Sequence, residues 1–416
     1  MKPDRSLLLP KILFTLCIGA VCAVFASAGD FSKAALGTTG GQFLELPVGA
    51  RGVSMGSAQG AAAEDVSAIY YNPANLAGLR GINATFMHAM YFQDISYDFA
   101  AFAKNTHNHG TFALGVQYLS VGSLDKVDNA GNPTGDSLAP RDLAVSLANA
   151  RKFNNLEYGV GVKYISSKLN TDAKAYAADA GIRWSIEPAA LSISVLNLGT
   201  GLKFREETAP LPTTLRIGSM YKFIPEIPGQ IWTFALDGVF SKGAAAAVCA
   251  GIEYKIELKD SLKIGIRTGY NSRVGASGLG GLSGLSAGAG LDINKFSVDY
   301  AFTPFGNLGN SHRLSLSMHF GDDENGTDSS TRYQKAPSAK NEGNGSIITF
   351  ASGSEAVVNV DRARLYRYSD DKSKVLDILK KGAEIEVQEQ RANWVKVNTE
   401  SGKTGWVNRS TLSRRH

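Results

Sequence analysis

Few residues of this chain stand at spacings that could support catalysis or metal binding. His107 and His109 bracket one asparagine, but a metal site there would need more ligands, so a solvated turn is the simpler interpretation. The acidic stretch 125–136 lacks the ligand pattern of a calcium loop. Serine, histidine and aspartate show no nucleophile-elbow spacing, and the glycine-rich run 278–284 lacks the strand-to-helix context of a phosphate loop. We therefore expect a non-enzymatic protein with no catalytic residue, no metal and no cofactor.

The aromatic residues of the C-terminal part are better candidates for binding. Tyr366, Trp394 and Trp406 could line a groove for a peptide or glycan, because amphipathic rings suit such ligands. The alternative is that these rings form a core. We assign Trp406 to the core and keep Tyr366 and Trp394 as a candidate ligand groove. Cys249 lies in an apolar strand, which favours a buried or lipid-facing thiol over a nucleophile.

The N-terminus has the pattern of a secretory signal. Basic residues at positions 2, 5 and 11 precede the apolar run 12–25, and Ala26-Ser27-Ala28 follows as a cleavage site. We predict a signal peptide over residues 1–28. The net charge of +5 over 416 residues is small, so we expect no nucleic-acid partner for this exported chain.

Fourteen segments after residue 81 alternate apolar and polar residues with the period of a β-strand. In the last of them, Leu314, Leu316 and Phe320 share one face, and Arg313 and Ser315 share the other. Each is long enough to cross a bilayer at a tilt, which is typical of an outer-membrane β-barrel. The predicted strands are 82–92, 95–104, 109–121, 141–153, 156–169, 175–186, 189–198, 213–224, 231–240, 244–256, 261–270, 285–293, 296–302 and 312–320.

The links between these strands alternate in length. They are short after the even-numbered strands and long after the third, seventh, eleventh and thirteenth. Outer-membrane barrels have short periplasmic turns and longer outer loops, so both barrel ends are predicted to face the periplasm. Aromatic residues near strand ends are predicted to form interfacial girdles: Tyr91, Tyr118, Tyr164, Trp184, Tyr221, Trp232 and Tyr270.

The chain therefore divides into five predicted parts. After the signal peptide, residues 29–80 are rich in small residues and form a hatch inside a barrel of residues 81–320, since fourteen strands enclose a lumen wide enough to need a plug. Residues 321–354 form a flexible linker. Residues 355–416 contain five short strands, at 356–360, 363–366, 384–387, 394–397 and 404–407, which indicate a small β-barrel. The fold class is all-β.

The hatch carries a specific resemblance. Segments 40–56 and 62–77, which include Asn72-Pro73-Ala74, resemble the opening of the PorV/PorQ family, related to FadL-like outer-membrane proteins and to UPF0164. The resemblance extends to residue 320. It implies a fourteen-stranded barrel in which Asn72, Pro73 and Ala74 form a hatch motif. FadL-like members move hydrophobic molecules through the outer membrane, whereas PorV-like members serve type IX secretion as partners of its translocon and cargo.

The C-terminal part resembles bacterial SH3 domains over residues 356–412. The motifs are 358–361, 365–366, 379–382, 393–397 and 405–407, in this order. From Glu355 onward, thirteen Lys and Arg residues outnumber nine Asp and Glu residues, which suits an anionic polymer such as peptidoglycan. We expect uptake of hydrophobic solutes, with the SH3 domain in the periplasm binding cell wall or a protein partner. The alternatives are a PorV-type secretion component and a structural tether between outer membrane and peptidoglycan.

Overall fold

The computed structural model describes the chain in two stretches. The first is 35–321 without 107, 129, 226, 228, 260 and 261; the second comprises 350, 354–367, 369, 375–391, 393–399 and 402–414. The predicted signal peptide, the start of the hatch and most of the predicted linker lie outside the described residues. The chain divides into two compact units, Met1–Asp322 and Asp323–His416.

The first unit contains eighteen strands among its described residues. In chain order they are β1 Ile82–Met90, β2 Ser96–Thr106, β3 Gly110–Ser120, β4 Leu124–Val127, β5 Pro133–Leu138, β6 Arg141–Phe153, β7 Leu156–Lys168, β8 Asp172–Ile186, β9 Ala189–Gly199, β10 Leu202–Phe204, β11 Glu207–Ala209, β12 Thr214–Phe223, β13 Gln230–Ser241, β14 Ala247–Lys259, β15 Leu262–Asn271, β16 Leu285–Ile293, β17 Phe296–Pro304 and β18 Asn310–Phe320.

Fourteen of these strands close into one antiparallel barrel, which confirms the predicted fold class. The order around the barrel is β1-β18-β17-β16-β15-β14-β13-β12-β9-β8-β7-β6-β3-β2. The barrel closes where β1 pairs with β18, with Ile82 opposite Phe320. Because the strand number is even, both barrel ends lie at one rim, which we call the proximal rim; the opposite rim is the distal rim.

The wall of the barrel is apolar outside and polar inside. In β18, Leu314 and Leu316 are exposed, whereas Arg313 and Ser315 are buried toward the lumen. A soluble protein shows the opposite arrangement, because water would penalise so large an exposed apolar surface. A wall of this kind is stable where lipid covers it, as in outer-membrane barrels.

Two hairpins at the distal rim were missed by the sequence analysis. The strands β4 and β5 pair within the long link after β3, and β10 and β11 pair within the link after β9. The first hairpin is mostly exposed, so its side chains lack the alternating burial on which the prediction depended.

The described part of the hatch fills the lumen with short helical turns. These are Gln42–Glu45, Ala50–Ser54, Ala68–Tyr71 and Pro73–Gly78. Most of the side chains from residue 43 to 77 are buried, and one apolar cluster joins Val48, Ile69 and Leu76 to Met87 and Phe99 of the wall. In the described parts of the chain, no helix combines the length and apolar character of a membrane span.

The second unit is a seven-stranded antiparallel sheet with its own core. Its strands are β19 Glu355–Val358, β20 Arg362–Tyr366, β21 Val375–Lys380, β22 Glu384–Arg391, β23 Trp394–Thr399, β24 Thr404–Asn408 and β25 Leu412–Arg414. The prediction of five strands missed β21 and the three-residue β25. Val358, Leu365 and Val397 are among the core side chains.

Candidate functional site: the hatch and the distal cavity

Glycines of the wall let the hatch backbone approach the lumen surface closely. A Cβ atom on Gly181 would lie 2.0 Å from Oδ1 of Asn72, and one on Gly159 would lie 2.5 Å from the carbonyl oxygen of Pro73. On the other side of the lumen, a Cβ atom on Gly269 would lie 2.0 Å from the backbone nitrogen of Gly56. A larger residue would clash with the Asn72 side chain at Gly181 and with the hatch backbone at Gly159 and Gly269, so the wall is shaped to this segment.

The side chain of Asn72 both accepts and donates hydrogen bonds. Its Oδ1 accepts a hydrogen bond of 3.0 Å from the backbone N–H of Ala74, which caps the turn that begins at Pro73. Its Nδ2 donates to the carbonyl oxygens of Gly60 and Ile182, at 3.1 and 3.2 Å. The residue thus links two parts of the hatch and joins them to β8, while its neighbours Pro73 and Ala74 are buried against Gly159 of the wall.

A buried chain of alternating charges joins the hatch to the wall. Arg51 donates to both carboxylate oxygens of Glu253, at 3.0 and 2.7 Å. Glu253 also accepts from Arg267 at 2.6 Å, and Arg267 pairs with Asp299 at 2.6 Å. All four side chains are buried. A buried charge is stable only when a partner of opposite charge compensates it. Removal of one member of this chain would leave its neighbours uncompensated and would destabilise the fold.

Glu64 continues this chain toward the proximal rim. It contacts Arg51 at 3.5 Å and forms a close ion pair with Lys222. The Glu64 side chain is 42% exposed at the edge of the hatch, but partial loss of water around it would by itself raise its pKa; Lys222 and Arg51 outweigh this effect and lower the pKa to about 2. Burial would likewise lower the pKa of Arg51, but Glu253 and Glu64 hold it well above its usual value. Glu64 and Arg51 are therefore both charged at neutral pH.

A second ionic anchor lies on the neighbouring strands β12 and β13. Arg216 of β12 donates to the carboxylate of Asp237 at 2.8 Å and to the carbonyl oxygen of Ser57 in the hatch at 2.9 Å. The same carboxylate oxygen of Asp237 accepts from the backbone N–H of Gly60 at 2.7 Å. Arg183 of β8 adds a bond of 2.9 Å to the hatch. The hatch is consequently held by polar contacts around the lumen.

A cavity of about 430 Å³ lies at the distal side of the hatch. Its floor is formed by hatch residues and its sides by the distal ends of the wall strands and their links. Small-molecule sites typically occupy roughly 300–1,000 Å³ and are mostly apolar with a few polar groups, and this cavity fits that description. The lining residues central to its character are Leu46, Pro47, Val53, Tyr91, Phe92, Ile95, Leu119, Val274, Phe305, Arg273 and Arg313. We call it the distal cavity.

Tyr91 belongs to this cavity, so its assignment to an outward girdle is wrong. Its ring packs on Phe92 and Phe305 at centroid distances of 6.2 and 6.0 Å. The residue follows the last position of β1, where the chain turns across the rim and the strand alternation no longer sets the side-chain direction. Trp184 and Tyr270, by contrast, are exposed on the outer wall as predicted.

Arg313 is one of the charged residues of the distal cavity that were not predicted from the sequence. It lies on the inward face of β18, between the buried residues Ser311 and Ser315. A single arginine among these serines is the feature of the sequence that could have identified this residue. Its guanidinium lies 4.9 Å from the centre of the Tyr91 ring and also bonds the hydroxyl of Tyr91.

The other candidates predicted from the sequence lie in the second unit and in the hairpin of β4 and β5. Tyr366, Trp394 and Trp406 form one buried cluster, each 8% exposed, with Tyr366 and Trp394 edge to face at 5.4 Å. Each ring has little free surface for a ligand, so the groove stays a prediction. In the stretch 125–136, the Asp128 carboxylate accepts backbone bonds from Ala130 and Asn132, which lowers its pKa.

The other groups that could support chemistry are the thiol of Cys249 and the side chains that could bind a metal. Cys249 is a free thiol buried beside Met55 and Ala58 of the hatch. Among the described residues, no group of three or more His, Cys, Asp or Glu side chains could hold a metal ion.

Comparison with known sequences confirms the resemblance to UPF0164 and the resemblance to the bacterial SH3 domain. The model of the uncharacterised protein family UPF0164 matches residues 17–163, and that of the bacterial SH3 domain matches residues 361–413. A UPF0164 protein of Treponema pallidum (strain Nichols) is 24% identical over 330 residues, covering 72% of this chain and 74% of that protein. The name PorV/PorQ stays a prediction.

Three solved structures are similar to the barrel at low sequence identity. The CymD monoaromatic hydrocarbon channel has a TM-score of 0.45 at 10% identity, covering 66% of this chain and 98% of its own. The Pseudomonas putida toluene transporter TodX has 0.43 at 10%, with 65% and 96% covered. A Pseudomonas aeruginosa FadL homologue has 0.40 at 11%, with 66% and 98% covered.

Proposed function

We propose that this chain is an outer-membrane channel for hydrophobic solutes. The observation that carries the proposal is the apolar distal cavity, which opens at one rim of a barrel with a lipid-compatible wall and ends on a hatch. A solute would bind in the cavity first. Its further passage requires the hatch to shift, because the hatch side chains below the cavity are buried against the wall.

The barrel topology supports one orientation for this channel. The links at the proximal rim are short, and those at the distal rim include the two hairpins. Outer-membrane barrels place short turns in the periplasm, so the distal cavity would face outward and the SH3 unit would lie in the periplasm.

A dye-uptake experiment tests the channel function. N-phenyl-1-naphthylamine is a hydrophobic dye that an intact outer membrane excludes and that fluoresces once it enters lipid. Gram-negative cells producing the full chain should take up the dye faster than cells without it. Val274→Trp places a large ring in the distal cavity and should abolish the gain.

The matched control is Val127→Trp, the same substitution on the exposed β4–β5 hairpin. It should leave dye uptake unchanged. Equal uptake by cells with and without the chain, at equal outer-membrane levels, would overturn the proposal.

We propose further that the SH3 unit binds peptidoglycan and tethers the barrel to the cell wall. The support is the bacterial SH3 match over residues 361–413 and the excess of basic residues in this part of the chain. The full chain in detergent should be retained by isolated cell-wall sacculi, and a chain ending at residue 321 should not. Equal retention of both chains would contradict the tether. The PorV-type secretion role and its protein partners stay predictions from the sequence.

A further inference from the structure

We infer that the outer wall of the barrel carries a binding surface for a lipid with a phosphate head group, at the distal ends of β6, β7 and β8. The residues that receive the phosphate are Arg141, Lys168 and Lys174, which we call the basic patch. This surface is independent of the proposed channel, because it faces the lipid around the barrel and not the lumen.

The three cations share the outward face of three adjacent strands. Arg141 begins β6, Lys168 ends β7 and Lys174 is the third residue of β8, and all three are exposed. Inward positions of β7, such as Lys163 and Ile165, are buried instead. Within the described residues of the fourteen barrel strands, every lysine or arginine that faces outward at a distal end belongs to this patch. The outward positive charge of the distal strand ends is therefore concentrated at one place.

Two of the cations stand directly opposite each other. Arg141 pairs in register with Lys168, which places their Cβ atoms roughly 4.5–5.5 Å apart. Like charges at such positions destabilise a sheet. Asp172 lies opposite Lys168 on β8, but none of the three cations forms an ion pair with a carboxylate in the part of the chain that the structure describes. An anion held between Arg141 and Lys168 would relieve their repulsion.

The patch lies at the depth of lipid head groups. Below it, Tyr164 of β7 faces Tyr176 of β8, with ring centroids 5.6 Å apart. Amphipathic rings of this kind mark the boundary between hydrocarbon and water around outer-membrane barrels. Lys174 precedes Tyr176 by two residues on the same face, roughly 7 Å along the strand on the water side. The link between β7 and β8 has only residues 169–171, which leaves little chain to cover the patch.

The surroundings of the patch indicate what carries the anion. Leu147, Val160 and Val162 face outward below the tyrosines and are more than half exposed, so they provide a surface for acyl chains. Guanidinium and ammonium groups both bind phosphate oxygens. Three cations beside one carboxylate favour a head group with net negative charge over a zwitterionic one, which carries its own cation. A lipid with an uncompensated phosphate matches both the patch and the wall below it.

Lipid binding to the purified full chain tests this assignment. The chain in an uncharged detergent is mixed with equal amounts of dioleoyl phosphatidic acid and dioleoyl phosphatidylcholine, which share their acyl chains. Native mass spectrometry then measures the fraction of chains that carry each lipid. Phosphatidic acid should bind about 10-fold more tightly. Arg141→Gln combined with Lys168→Gln should weaken its binding by about 10- to 100-fold, the range expected for two charges at a lipid surface, and should leave phosphatidylcholine binding unchanged.

Two matched double variants serve as controls. Lys104→Gln combined with Arg151→Gln removes the same charge from exposed outward positions near the proximal ends of β2 and β6, and should leave both affinities unchanged. Arg141→Lys combined with Lys168→Arg keeps both charges and should keep the preference for phosphatidic acid. All four side chains are exposed, so heat-modifiable migration should show the same folded barrel in every variant.

Equal binding of the two lipids by the unmodified chain would overturn the inference, as would normal binding of phosphatidic acid after Arg141→Gln and Lys168→Gln. An equal loss after Lys104→Gln and Arg151→Gln would attribute the binding to total charge and would overturn it as well. A dimer that the patch variant abolishes, without a preference for phosphatidic acid, would assign the patch to contact between copies of the chain. None of these results depends on dye uptake, so the channel and the lipid site stand or fall separately.

Discussion

The replacement of Arg51 by methionine tests how strongly the wall holds the hatch. Methionine has a similar volume and no charge, so it removes the contacts with Glu253, Glu64 and the carbonyl oxygen of Ala62 without a large cavity. Glu253 keeps Arg267 at 2.6 Å, and the wall itself should therefore stay intact.

The magnitude follows from the burial of the pair. Breaking a buried ion pair costs about 3–5 kcal/mol when one charge is left uncompensated. Because Arg267 still compensates Glu253, we expect the lower limit, about 3 kcal/mol, for release of the hatch. Each 1.4 kcal/mol is a factor of ten, so the displaced state should become about 100-fold more populated.

Cys249 provides a natural reporter for this displacement. The residue is 2% exposed and belongs to one apolar cluster with Met55 and Ala58 of the hatch. A maleimide reagent should label it slowly in the folded chain and about 100-fold faster in Arg51→Met. The exposed Arg151→Met is the control and should label at the original rate. Equal labelling rates for all three proteins, with heat-modifiable migration unchanged, would refute the anchoring role of Arg51.

Two further substitutions probe the fit and the charges of the hatch. Gly181→Ala should lower the free energy of unfolding by about 1–3 kcal/mol, because its Cβ would overlap Asn72, while Gly78→Ala meets no atom within 4 Å and should stay within about 0.5 kcal/mol. Equal urea midpoints for these two variants would contradict the fit. Glu64→Gln should cost up to about 1 kcal/mol at pH 7, since the side chain is 42% exposed and partly screened. Because the pKa of Glu64 is about 2 in the fold and higher when unfolded, this cost should vanish as the pH falls from 4.5 toward 2. If Glu64→Gln lowers the free energy of unfolding by the same amount at pH 7 and pH 2, the charge of Glu64 does not account for the loss.

The strands of the barrel could be predicted because a wall between lipid and a polar lumen imposes a period of two on every strand. The prediction placed β6 and β16 with the bounds that the structure shows, and the ends of the other twelve barrel strands within three residues. It failed where that constraint is absent, as in the exposed hairpin of β4 and β5. It also missed β21 in the SH3 unit.

The contacts of the candidate site could not be predicted in the same way. Arg51 and Glu253 are 202 positions apart, and only the closed barrel brings them together. Tyr91 was assigned to the wrong side because it lies just beyond β1.

The conductance of single barrels in a planar bilayer tests the central claim most directly, namely that the hatch closes the lumen. The hatch fills the lumen with buried side chains and is anchored to β8, β12, β13 and β14. The full chain should therefore insert without a steady ion current and open only briefly, and Arg51→Met should open more often. A large, constant conductance of the full chain, like that of an open porin, would contradict the account.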